Sequence, residues 1–121
     1  MEGLNPNHVR KIYVGKCADL GIPVFPGQQA RFFEFCSKHL VDRRFDLRDS
    51  GLGTEAAKAI GEALANTTSF AFINLSRNPI GDVGARAVAK SLAKNRELVA
   101  LDMSSNDLSS NGASHILKMV A

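Results

Sequence analysis

The sequence predicts an α/β solenoid, with parallel strands inside, helices outside and a helical cap at the N-terminal end. Three observations carry that prediction. Segments beginning at Phe45, Ile73 and Leu101 fall into register at a spacing of 28 residues. Each opens on a two-residue apolar alternation and continues into an apolar pattern of helical period. Residues 1–44 stand outside the repeat and read as two helices. Similarity at such a period marks stacked units, each burying its apolar face only against its neighbours.

The cap comes first. Asn5-Pro6 is a helix start, because a proline at the first helical position forgoes no intrahelical hydrogen bond. Val9, Ile12, Tyr13, Cys17 and Leu20 share one face of that helix, and Gly21 followed by Pro23 stops it. A second helix is expected over residues 28–39, turning Phe32, Phe33, Cys36 and Leu40 inward.

The repeats then occupy 45–72, 73–100 and 101–121, the last incomplete. Phe45/Leu47, Ile73/Leu75 and Leu101/Met103 alternate as half-buried strands. Thr54, Asp82 and Ser110 are expected helix N-caps, since their oxygens can accept from free amides of the first turn. Ala57, Ile60 and Leu64, then Ala85, Val88 and Leu92, form the inward helix stripe. Lys58, Glu62, Arg86 and Lys90 mark the solvated side. A strand, a turn and a helix in one unit require neighbouring strands to run parallel. The first strand is expected to be a modified edge. Asp42 and Ser50 stand there where the second unit has Phe70 and Asn78.

The spacing Phe70, Ile73, Leu75, Asn78, Ile80, repeated as Leu98, Leu101, Met103, Asn106, Leu108, resembles the leucine-rich repeat. Unit length and alanine-rich helices are similar to its ribonuclease-inhibitor-like subfamily. The resemblance implies that Asn78 and Asn106 form a structural ladder, their side chains bonding backbone groups of the adjoining turn. Tyr13, Cys17, Gly21, Ile22 and Pro23 are similar to the entry segment of centrosomal and ciliary leucine-rich repeat proteins.

Composition excludes several functions. A hydrophobic fraction of 45% with 22% charge supports a packed core. No apolar run reaches the roughly 20 residues of a membrane span, and the opening residues lack a signal-peptide pattern. A cytoplasmic location is therefore expected, with no membrane partner; association with cytoskeleton, centrosome or cilium is what the resemblance adds. The net charge is +3, and residues 1–44 hold 7 basic against 4 acidic groups. That excess is too dispersed for a nucleic-acid stripe. Cys17 and Cys36 lack metal-ligand spacing and read as reduced thiols. Gly51-Leu52-Gly53-Thr54-Glu55-Ala56 spells a dinucleotide-type loop between strand and helix. The strand before it alternates with charge, however, and Gly53 aligns with Gly81 of the next unit, so no cofactor is expected. His8, His39 and His115 are scattered, and no nucleophile has a base at motif spacing. No catalytic or metal site is expected.

A curved strand sheet offers a concave face for partners. Its candidate residues are Asp46, Arg48, Asp49, Phe72, Asn74, Arg77, Asp102 and Ser104, with Phe72 as an exposed anchor. The expected function is a non-enzymatic protein–protein interaction module or scaffold, the N-terminal part of a larger cytoskeletal or centrosomal/ciliary protein. The alternative is a GTPase-activating protein of the leucine-rich repeat type, with Arg48 or Arg77 stabilising transferred phosphate. The third unit stops before a full repeat is complete. Met103, Ile116 and Val120 are accordingly expected to form an uncovered C-terminal edge, with a homodimer closing on it.

Overall fold

The computed structural model describes residues 5–66, 71–92, 100–104 and 106. Its first helix, α1 (Pro6–Leu20), starts as the sequence requires: Asn5 Oδ1 accepts the Asn7 N–H at 2.9 Å, and Pro6 takes the first turn. Gly21 ends it in the left-handed conformation, φ 67°, which a residue without Cβ adopts freely. Ile22 N–H then closes on the Cys17 carbonyl at 3.0 Å. Helix α2 (Pro26–Lys38) begins two residues earlier than the pattern suggested, with Pro26 in its first turn.

A two-residue strand β1 (Leu40–Val41) follows and turns tightly into β2 (Arg44–Asp46). Asp42 and Arg43 make the turn at positive φ, 53° and 61°. Each repeat then supplies its parts in order: α3 (Thr54–Asn66), β3 (Phe72–Asn74), α4 (Gly81–Leu92) and β4 (Ala100–Asp102). The sheet order is β1-β2-β3-β4. β2, β3 and β4 are parallel, with Phe45 beside Ile73 and Ile73 beside Leu101. The 28-residue spacing is therefore the register of the sheet.

β2 is not an edge. β1 pairs with it antiparallel, Leu40 opposite Phe45, so the modified first unit is covered by a hairpin that the pattern did not reveal. The strand-side core comprises Phe45, Leu47, Ile73, Leu75 and Met103, joined by Leu52 and Ile80 below the turns. Ala56, Ala57, Ile60 and Leu64 of α3 and Ala85 and Val88 of α4 close it from the helix side. Val9, Ile12, Tyr13 and Cys17 continue the same core into the cap.

Gly15 permits that continuity. A Cβ there would lie 2.7 Å from the Glu55 carbonyl oxygen, so any larger residue would push α1 off α3. Three expected cap contacts are corrected. Leu20, the last residue of α1, is 51% exposed. Phe33 and Leu40 are half-buried at the core margin rather than inside it.

Candidate functional site

Strand alternation sends Phe45, Ile73 and Leu101 toward the core and their neighbours to the opposite face. Two rows result on that outer face, Arg44–Phe72 and Asp46–Asn74–Asp102. The Arg44 guanidinium stands 5.5 Å from the centre of the Phe72 ring, a cation–π distance. Phe72 is half-buried, so the expected anchor is a partly covered ring and not a protruding one.

The second row has a structural duty that the alternation alone did not disclose. Asp46 Oδ1 accepts the Arg48 N–H, Asn74 Oδ1 the Ser76 N–H and Asp102 Oδ1 the Ser104 N–H, at 3.2, 2.9 and 3.0 Å. Each thereby fastens the turn that leaves its strand. Ser76 and Ser104 add hydroxyl donations to the same oxygens, at 2.6 and 2.7 Å. These bonds, the Ser104 N–H foremost, hold the Asp102 carboxyl below its ordinary range. Ser76 is buried. Arg48 and Asp49 are exposed, and Arg48 Nε lies 3.6 Å from Asp46 Oδ2. Arg77 is exposed as well, on a backbone of φ 57°.

Beneath the turns lies Asn78, 1% exposed. Its Oδ1 accepts the amides of Ser50 and Leu52 in the preceding unit, at 2.9 and 3.1 Å. Its Nδ2 donates to the carbonyls of Leu47, Leu75 and Ser76, at 2.9, 2.9 and 3.1 Å. One side chain thus ties two units together through five backbone groups. Asn106 is equally buried and donates to the Ser104 carbonyl at 3.0 Å. Ile116 and Val120 lie outside the described residues; Met103, grouped with them, is 8% exposed.

The start of α3 departs from expectation. Thr54 is its first helical residue and does not cap it; the hydroxyl donates instead to the Ile80 carbonyl in the next unit, at 3.0 Å. Asp19 of α1 takes the capping role. Its carboxylate accepts the amides of Gly53, Glu55 and Ala56 at 2.9, 2.8 and 3.0 Å. The glycine-rich loop that spells a phosphate cradle therefore already holds an anion, supplied by the protein's own cap. Asp82 sits inside the first turn of α4 and Gly81 precedes it at φ 71°; Ser110 lies outside the described residues.

One feature had no sequence signal because three separate segments build it. An open groove of about 700 Å³ runs between α1, α2 and the loop after β2. Lys16, Arg31 and Arg48 line it with Leu20, Phe32 and Phe35. Phe35 is stacked on His39 at 4.0 Å between ring centres. Cys17 and Cys36 are free, buried thiols. Burial pushes Cys36 up to about 12, against a smaller downward pull from Lys16. Among the described residues no group of three or more histidines, cysteines or acids is placed to hold a metal ion, and no helix is long and apolar enough to cross a membrane.

Residues 71–89 and 94–117 match the Leucine Rich repeat family. The first match runs from the start of β3 into α4, so the repeat seen in sequence and the strand–helix unit seen in space coincide. The span 71–117 is leucine-rich repeat sequence of the ribonuclease-inhibitor-like type, a class that generally serves protein interaction and is typically non-catalytic. No curated protein matches the chain.

Proposed function

We propose that the chain is a non-enzymatic interaction module that engages a protein partner across the outer face of its strands. The observation that carries this reading is the register of three parallel strands, which aligns Arg44 with Phe72 and Asp46 with Asn74 and Asp102. A half-buried aromatic ring under a guanidinium, beside a row of carboxylates and an amide, combines an apolar anchor with a polar rim. Arg48, Asp49, Arg77 and Ser104 extend that rim through the turns. The partner's setting in this proposal is the cytoskeleton, centrosome or cilium. Its support is the entry segment Tyr13, Cys17, Gly21, Ile22 and Pro23. Ile22, Val24 and Phe25 are exposed there and available for contact.

The test compares capture from a lysate of the native organism by four forms of the protein. Wild type and a helix-face control, Lys58→Glu with Arg86→Glu, should retain the same proteins. Arg44→Glu and Phe72→Ala should lose them while still melting cooperatively. Equal capture by all four forms overturns the strand-face reading.

A further inference from the structure

We propose that the groove between the cap and the first repeat docks an acidic, extended segment of the partner protein, one carrying an apolar side chain between carboxylates. The proposal rests on the interaction reading above, because Asp46 and Arg48 belong both to the strand face and to the groove wall. The groove gives that face an end.

Its chemistry selects the occupant. Three cations reach the opening from three different elements: Lys16 from α1, Arg31 from α2 and Arg48 from the loop after β2. Among the described residues neither Lys16 nor Arg31 is ion-paired. Lys16 Nζ stands over the Phe32 ring at 5.5 Å from its centre. Arg48 and Asp46 pair with each other at 3.6 Å, which leaves Lys16 and Arg31 against the single carboxylate of Asp49. Positive charge therefore prevails in the opening, and Lys16 and Arg31 belong to the stretch 1–44 that holds 7 basic and 4 acidic residues. Cations mounted on separate helices ask for anions spaced along a chain rather than for one compact anion. Between them the floor is apolar, with Phe32, Phe35 and a Leu20 that is 51% exposed. An apolar residue flanked by acidic ones satisfies both demands. A nucleic-acid strand would require a longer cationic stripe.

Isothermal titration of the full chain with three end-blocked peptides tests this. Glu-Glu-Phe-Glu-Glu should bind, with affinity falling as salt rises. Glu-Glu-Ser-Glu-Glu should bind about tenfold more weakly, and Lys-Lys-Phe-Lys-Lys not at all. Arg31→Glu, an exposed change that leaves folding intact, should weaken the first peptide about tenfold, and adding Lys16→Glu should abolish it. Equal binding of the acidic and basic peptides, or an unchanged affinity in Arg31→Glu, overturns the proposal. So does tighter binding of an oligothymidylate through Arg31, or a dimer of the free chain that Arg31→Glu dissociates. Phe72→Ala separates the two readings. If it leaves peptide affinity intact while lysate capture ignores Arg44→Glu, the groove stands and the strand-face reading fails.

Discussion

At the scale of single residues, Asn78 is the side chain on which most backbone groups converge. Replacing it with alanine strips a partner from the half-buried Ser50 amide, the buried Leu52 amide and the carbonyls of Leu47 and Leu75, while the Ser76 carbonyl keeps the Asp49 N–H. Unsatisfied buried groups cost about 1–3 kcal/mol each, partly recovered by relaxation, so Asn78→Ala should lose about 2–4 kcal/mol in urea melts. Lys90→Ala, on the exposed face of α4, should stay within about 0.5 kcal/mol. The cysteines make a second measurement. Both are buried, and Cys36 holds its proton up to about 12. A thiol reagent at about pH 8 should therefore label neither in the native protein and both in urea. Because the folded thiol's value is raised, its contribution to stability is complete below the unfolded value of about 8.5 and is lost as pH climbs toward 12. The role of Asn78 was legible only through the resemblance to the leucine-rich repeat, since an asparagine after a strand reads by itself as a turn residue. Asp19 was not: its partners are 34 to 37 residues away, and no local spacing encodes them.

At the scale of elements, periodicity explains what could be read and what could not. Phe45/Leu47 and Ile73/Leu75 alternate for a physical reason, one face being core and the other not, and the strands form where that alternation lies. β1 spans two residues, too short to show any period, so the hairpin covering β2 left no trace in the pattern. Thr54 misled because its residue type suits an N-cap, whereas of the amides it would have served Ala56 is taken by Asp19 and Ala57 by the Gly53 carbonyl. The groove was illegible for a related reason: α1, α2 and the loop after β2 each give it a few unremarkable residues. The packing of α1 on α3 yields a sharper prediction. Gly15→Val would drive side-chain atoms into the backbone at Glu55 and Ala56, and should cost about 1–3 kcal/mol, as overpacking does. Gly27→Ala, at the exposed start of α2 with open space around it, should cost far less. Thermal melts of the two variants measure the difference. If both melt alike, α1 does not rest on α3 by that glycine.

At the scale of the whole molecule, acid acts through carboxylates that the fold holds ionised. The Lys11 hydrogen bond at 2.7 Å lowers Glu62, joining α1 to α3, and the Ser104 bonds lower Asp102 at the end of β4. A lowered value means stabilisation that is present above the unfolded carboxylate range, near 4, and is lost as pH falls through the folded values. Chemical melts taken between about pH 7 and pH 3 should therefore show declining stability below about pH 4, with a shallower decline in Glu62→Gln. Identical slopes would mean that the Lys11–Glu62 pair leaves no mark on the fold. The clasp of Asp19 on the amides of Gly53, Glu55 and Ala56 has its own consequence for the order of events. Contacts between distant residues wait for the intervening chain to close. Helix α3 can coil early, yet its first turn stays uncapped until α1 arrives. A bond made that late leaves the folding rate nearly untouched and acts on the rate of escape. The carboxylate is thus expected to latch the lifetime of the native state: Asp19→Ala should fold about as fast and unfold faster, which stopped-flow rates across a urea series would measure, and an equal slowing of folding would remove the latch.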